Sequence, residues 1–91
     1  KAALSMLTRS AARSLAPARV NAVAPGFVLT PMAMEHGDGT SGLPPSLQPR
    51  VPLGDFAKPE QIADSIAFLL SDQAGYITGA ELLVDGGFQQ T

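Results

Sequence analysis

Leu4, Leu7, Ala11 and Leu15 recur at spacings of three and four, which predicts a helix over residues 2–16 with one apolar face. Ala2, Ala3, Ser5, Ser10 and Ala12 are small, so another helix or a sheet can approach this segment closely. Arg9 and Arg13 fall at i and i+4 on the outer side. Pro17 closes the helix, because the residue before a proline is displaced from the α region. From Arg19 to Ala24 the pattern changes to a short run, mostly apolar or small on both faces, as in a parallel strand covered on both sides.

That strand ends in Pro25-Gly26, with Phe27-Val28-Leu29 following and the hydroxyl of Thr30 four positions after the glycine. A strand whose carboxyl end opens into a tight loop of small residues is where open α/β sheets bind ligands. Residues 31–55 carry Gly37, Gly39, Gly42, Gly54, Pro44, Pro45, Pro49 and Pro52 without clear periodicity, the pattern of a lid over a site or of a disordered segment. Residues 59–71 read as a second helix: Pro59 suits its first position, Glu60 complements the positive end of its dipole, and Ile62, Ile66, Leu69 and Leu70 form its stripe. Asp64 and Ser71 face outward. Tyr76-Ile77-Thr78-Gly79 leads into a last strand, Glu81 to Val84, which stops at Asp85-Gly86-Gly87. The order helix, strand, lid, helix, strand predicts adjacent parallel strands with a right-handed crossover. Two strands and two helices cannot cover both faces of their own sheet. The expected class is therefore α/β, one part (residues 1–91) of a larger doubly wound parallel sheet.

Composition narrows the function classes. Of 91 residues, 45% are apolar and only 15% charged, a low charge fraction for a small domain, which suggests that part of its surface is covered. The formal net charge of −2 and the lack of any basic run give no support for a nucleic-acid or acidic-membrane partner. Without cysteine there is neither a disulfide framework nor a thiolate metal site. The apolar stretches are far below the roughly 20 residues that span a bilayer. The chain opens on Lys1 without a signal-peptide pattern, so a cytoplasmic setting is expected.

Four local patterns then coincide in order: Lys1-Ala2-Ala3-Leu4; Arg19-Val20-Asn21-Ala22-Val23 into Pro25-Gly26-Phe27-Val28-Leu29-Thr30; Val51-Pro52-Leu53-Gly54 before Lys58-Pro59-Glu60-Gln61; and Ile77-Thr78-Gly79 before Leu83-Val84-Asp85-Gly86-Gly87. Together they resemble the C-terminal part of a short-chain dehydrogenase/reductase over essentially the whole chain. The resemblance implies a Rossmann-like fold, NAD or NADP as cofactor, and a carbonyl or alcohol as substrate. It matches Lys1 to the lysine of the family's Tyr-x-x-x-Lys pair, which makes it the candidate catalytic residue. An i, i+4 spacing puts both side chains on one helix face, and a cation beside a phenol favours the phenolate needed for proton transfer. The family's lysine also hydrogen-bonds the cofactor ribose. By the same resemblance Pro25 and Gly26 form the loop beneath the nicotinamide, the backbone of Val28 bonds its carboxamide, and Thr30 holds the carboxamide or the pyrophosphate. Residues 31–50 correspond to the substrate loop, where Met32 and Met34 either line the pocket or pack. The glycine-rich phosphate turn and the catalytic Ser and Tyr are expected upstream of Lys1, so this segment alone is expected to be inactive. The parent is expected to be a homo-oligomer, a dimer or tetramer, through the helix 2–16 and the last strand.

Several residues carry competing roles. Lys1 alone would be a solvated lysine, Pro25-Gly26 a simple turn, and Thr30 a helix N-cap. Asn21 reads as a strand residue bonded to neighbouring backbone, and His36, although near Glu35 and Asp38, as a solvated lid residue without a metal-ligand set. Asp85-Gly86-Gly87 reads as a structural strand exit and subunit contact. The alternative to an oxidoreductase is a non-catalytic binding or scaffold protein that reuses the fold.

Overall fold

Helix α1 runs from Ala2 to Ser14, strand β1 from Ala22 to Pro25, helix α2 from Pro59 to Leu70 and strand β2 from Glu81 to Val84. These elements belong to a computed structural model that describes residues 2–29 and 43–90. The strands pair in parallel, with Ala22 opposite Glu81, Val23 opposite Leu82, Ala24 opposite Leu83 and Pro25 opposite Val84. The expected pair of adjacent parallel strands is present, and β2 has the bounds its sequence predicts.

β1 begins three residues later than its apolar run suggests. The reason lies in how Arg19, Val20 and Asn21 are bonded. The Val20 N–H donates to Thr78 Oγ1 at 3.1 Å, and its carbonyl accepts from Gly79 N–H at 2.7 Å. The Asn21 amide donates to the Ile77 carbonyl and accepts from the Ala80 N–H, both at 3.0 Å. A side chain thus takes the place of ladder bonds until Ala22 N–H reaches the Ala80 carbonyl at 2.9 Å. The expected backbone bonding of Asn21 holds, although Asn21 lies one residue before β1. Gly79 permits this join, since its φ of +74° lies in a region that side chains disfavour.

α1 buries a different set of residues from the one periodicity picks out, and α2 buries only part of its predicted stripe. In α1 the buried residues are Thr8 and Ala12, with Ser5 half-buried and its hydroxyl bonded to the Glu81 carboxylate. Leu4, Leu7 and Leu15 are 55%, 64% and 57% exposed. The small residues face the turn before β2, where Ala12 Cβ comes within 3.5 Å of the position a Cβ on Gly79 would take. Large leucines would hold the helix off this turn, so they occupy the other face. In α2 Leu69 is buried and Ile62 half-buried, whereas Ile66 and Leu70 are exposed. Ser71 is half-buried rather than outward, and its hydroxyl donates to the Phe68 carbonyl at 2.6 Å.

α2 is held at both ends. The Lys58 N–H donates to Gln61 Oε1 at 2.8 Å, satisfying one donor at the N-terminus, and Pro59 occupies a position where no N–H is needed. At the other end Arg19 donates to the carbonyls of Leu69 (2.7 Å), Ser71 (3.1 Å) and Ile77 (3.4 Å). A guanidinium there satisfies orphan carbonyls and complements the negative end of the dipole. Arg19 therefore ties the start of β1's approach to the end of α2.

The described part of the predicted lid is not featureless. Leu47 and Gln48 N–H groups bond the Pro44 carbonyl, a short 3-10 turn spans Gln48–Arg50, and Leu43 and Val51 are buried. The buried apolar set among the described residues is Ala12, Leu43, Val51, Leu69 and Ala74. At the carboxyl end of the sheet Gly26 N–H bonds the Val84 carbonyl at 3.1 Å. A Cβ on Gly26 would fall 2.8 Å from Asp85 Cα and 2.9 Å from Asp85 Cβ, so this glycine is demanded by the neighbouring strand end.

Two substitutions test these ties in the intact protein. Gly26→Ala is expected to lower unfolding free energy by about 1–3 kcal/mol through overpacking against Asp85, measured by urea denaturation. Unchanged stability would mean the strands do not meet this closely. Arg19→Met is expected to cost about 1.5–3 kcal/mol by leaving three carbonyls without their charged donor. A thermal midpoint equal to that of the wild type would contradict the role given to Arg19.

Candidate functional site

The carboxyl ends of β1 and β2 converge on Pro25-Gly26 and Asp85, where the candidate site lies. Beyond Gly26 the chain leaves the β1–β2 ladder and makes a second parallel contact, Val28 opposite Ala57. Ala57 N–H donates to the Phe27 carbonyl and Leu29 N–H donates to the Ala57 carbonyl, both at 2.8 Å. In extended backbone a residue's own N–H and C=O point to the same side, opposite to those of its neighbours. With Phe27 and Leu29 facing Ala57, the N–H and C=O of Val28 face the other way. One donor and one acceptor on one edge is the complement of a primary carboxamide. The donor set of Val28 fits the nicotinamide group that the resemblance assigns to it.

Asp85 organises the opposite wall. Its carboxylate accepts from Gly87 N–H at 2.9 Å and Gln89 N–H at 3.1 Å, and its carbonyl accepts from Phe88 N–H at 3.1 Å. Both carboxylate oxygens are engaged with backbone, which is the structural strand exit that the Asp-Gly-Gly pattern predicts. Gly86 and Gly87 have φ of +62° and +90°. Gly87 also passes so close to Pro52 that a Cβ would sit 2.8 Å from its Cγ. The Leu53 N–H bonds the Gly86 carbonyl at 3.0 Å, fastening residues 51–53 to this turn.

Aromatic contacts complete the wall. The rings of Phe27 and Phe88 meet edge to face, 5.1 Å between centroids at 78°. The Arg50 guanidinium lies 4.9 Å from the Phe88 centroid. Pro25, Gly26, Phe27, Asp85, Phe88 and Gln89 line an open hollow of about 220 Å³.

Of the sequence-predicted site residues, Pro25, Gly26 and Val28 are brought together at this strand end. Lys1, Thr30, Met32, Met34 and His36 lie outside the described residues, as does most of the predicted substrate loop. Ala57, Phe88 and Arg50 were not singled out by periodicity or motif. Ala57 had an indirect signal, since Lys58-Pro59 starts a helix and fixes the residue before it. Phe88 had none, because its partner Phe27 is distant in sequence. No group of three or more His, Asp or Glu among the described residues could hold a metal ion, and no described helix is long and apolar enough to cross a membrane.

Comparison with known proteins gives the arrangement its context. Residues 1–89 match the family model described as Enoyl-(Acyl carrier protein) reductase. The L-xylulose reductase of Mus musculus is 46% identical over 93 residues, which cover 100% of this chain and 38% of its own length. The 3-oxoacyl-(acyl-carrier-protein) reductase of Thermotoga maritima is 44% identical over 93 residues, covering 96% of this chain and 35% of its length. A solved short-chain dehydrogenase/reductase, the glucose/ribitol dehydrogenase from Brucella melitensis, superposes with a TM-score of 0.81 at 39% identity, covering 97% of this chain and 35% of that one. The chain spans little more than a third of the length of these relatives. A family model over nearly its whole length, relatives well above 40% identity and the shared parallel crossover place this chain in the short-chain dehydrogenase/reductase family, an oxidoreductase family of Rossmann-like fold.

Proposed function

We propose that this chain is the C-terminal part of an NAD- or NADP-dependent oxidoreductase that moves a hydride between a nicotinamide and a carbonyl or alcohol. The observation that carries this reading is the outward-facing amide pair of Val28 at the carboxyl end of the parallel sheet. The nicotinamide cofactor, when bound, supplies the hydride chemistry. Val28 holds the carboxamide, Gly26 and Pro25 form the floor of the loop, and Thr30 adds a hydroxyl and an amide to the same group or to the pyrophosphate. Lys1 acts beside a tyrosine four residues upstream: its ammonium favours the phenolate and its hydrogen bond orients the ribose. Met32 and Met34, in the substrate loop, line the pocket.

Two further features support the reading of a part within a larger whole. β1 pairs with β2 alone among the described residues, and two-stranded sheets are marginal in water. The exposed leucines Leu4 and Leu7 of α1, with Leu15 just after it, suit a contact with a second subunit in a cytoplasmic homo-oligomer. This segment alone is accordingly inactive. A scaffold that keeps the fold without the cofactor is the competing class.

Titration of NADH and NADPH into the intact protein, followed by nicotinamide fluorescence, separates the two classes. Saturable binding of either dinucleotide is expected, and Val28→Pro, which deletes the N–H, is expected to weaken it about tenfold. No binding at millimolar dinucleotide would favour the scaffold. Lys1→Met is expected to lower turnover by about 10²–10⁴-fold with the fold retained, the range for loss of assisted proton transfer. Full turnover in that variant would remove Lys1 from the catalytic machinery.

A further inference from the structure

We infer that Phe88 is a positioning residue for the cofactor-holding segment Phe27–Leu29, fixing its orientation through the Phe27 ring. The inference rests on the reading of Val28 as the carboxamide partner.

The segment Phe27–Leu29 lies outside β1, and among the described residues its backbone is hydrogen-bonded along one edge, by the two bonds to Ala57. Two bonds to a single residue define an axis, and beyond the tether at Gly26, whose N–H bonds the Val84 carbonyl, they restrain rotation about that axis only weakly. Such a rotation would swing the Val28 N–H and C=O away from any group they serve. The side chain of Phe27 adds a contact off that axis by meeting the Phe88 ring edge to face at 5.1 Å.

Phe88 can act as a fixed wall because its own backbone is locked. Its N–H is bonded to the Asp85 carbonyl, and the N–H groups on either side, of Gly87 and Gln89, are bonded to the two Asp85 carboxylate oxygens. Gly87 is wedged against Pro52, and the Arg50 guanidinium lies over the Phe88 ring at 4.9 Å. Arg50 and Pro52 belong to the return limb of the segment read as the substrate loop. One ring therefore touches both the cofactor segment and the limb that brings the chain back from the substrate loop. A residue that merely packed would stabilise the fold; one that orients Val28 alters cofactor affinity more than stability.

The test uses the intact protein, with NADH and NADPH dissociation constants read by nicotinamide fluorescence and thermal midpoints read without cofactor. Phe88→Ala is expected to weaken the bound dinucleotide about three- to tenfold, the range an aromatic pair gives. Phe88→Tyr, which keeps the ring, is expected to restore affinity to within about twofold. Because Phe88→Ala risks unfolding, a cycle of Phe27→Leu, Phe88→Leu and the double variant accompanies it. The double variant is expected to bind no more weakly than the weaker single one, since both remove the same contact. The role of Phe88 is overturned if its variants bind like the wild type, if affinity falls only in step with the thermal midpoint, or if the cycle is additive. Absence of dinucleotide binding by the wild type would instead overturn the cofactor reading on which this inference stands.

Discussion

The parallel register of β1 against β2 is the constraint from which the remainder follows. With Pro25 opposite Val84, Gly26 and Asp85 become neighbours at the sheet's carboxyl end, closer than any Cβ at position 26 would allow. Slipping the register by one residue would exchange the two faces of the strand and put a side chain where only the glycine fits. From this meeting point the chain can diverge: one limb runs on to Val28 and Ala57, the other folds under Asp85 into the Gly86-Gly87 turn. The site is thus a consequence of how two strands end.

Side chains satisfy backbone groups at each place where regular structure stops. Asn21 bridges the approach to β1, Arg19 closes α2, Gln61 opens it, and Asp85 closes β2. Each replaces hydrogen bonds that a strand or helix end would otherwise lose. With only 15% charged residues in the chain, the charges of Arg19 and Asp85 bind main chain, holding elements in place. The apolar surface points the other way: Leu4 and Leu7 of α1 and Leu70 of α2 stand exposed while Thr8 and Ala12 of α1 are buried. That inversion is the physical mark of elements whose larger apolar faces serve contacts outside these residues.

How far the residues announced all this differs by element. β2, the parallel crossover and α2 were legible because proline, glycine and apolar spacing mark their limits locally. The start of β1 was not, because Asn21 and Val20 are bonded to Ile77, Thr78, Gly79 and Ala80, far along the chain. The buried face of α1 was misjudged for the same reason: periodicity ranks residues by size and hydropathy, whereas a close turn selects them by smallness. At the site, Pro25-Gly26 and Val28 were visible as a motif. Ala57 and Phe88 became relevant only when the fold set them beside Val28 and Phe27.

By itself the sequence determined the family, the order of elements, the parallel sense of the strands and the strand end where the candidate site lies. These are properties of local spacing and of residues with restricted backbone freedom. Tertiary structure alone decided which side of the Phe27–Leu29 segment is spent on Ala57 and which is left to Val28. It also decided that Gly26 is required by Asp85, and that the ring of Phe88 stands behind Phe27. Hydrogen-bond direction and steric closeness between distant residues depend on where three segments meet in space, and no pattern along one segment encodes that meeting.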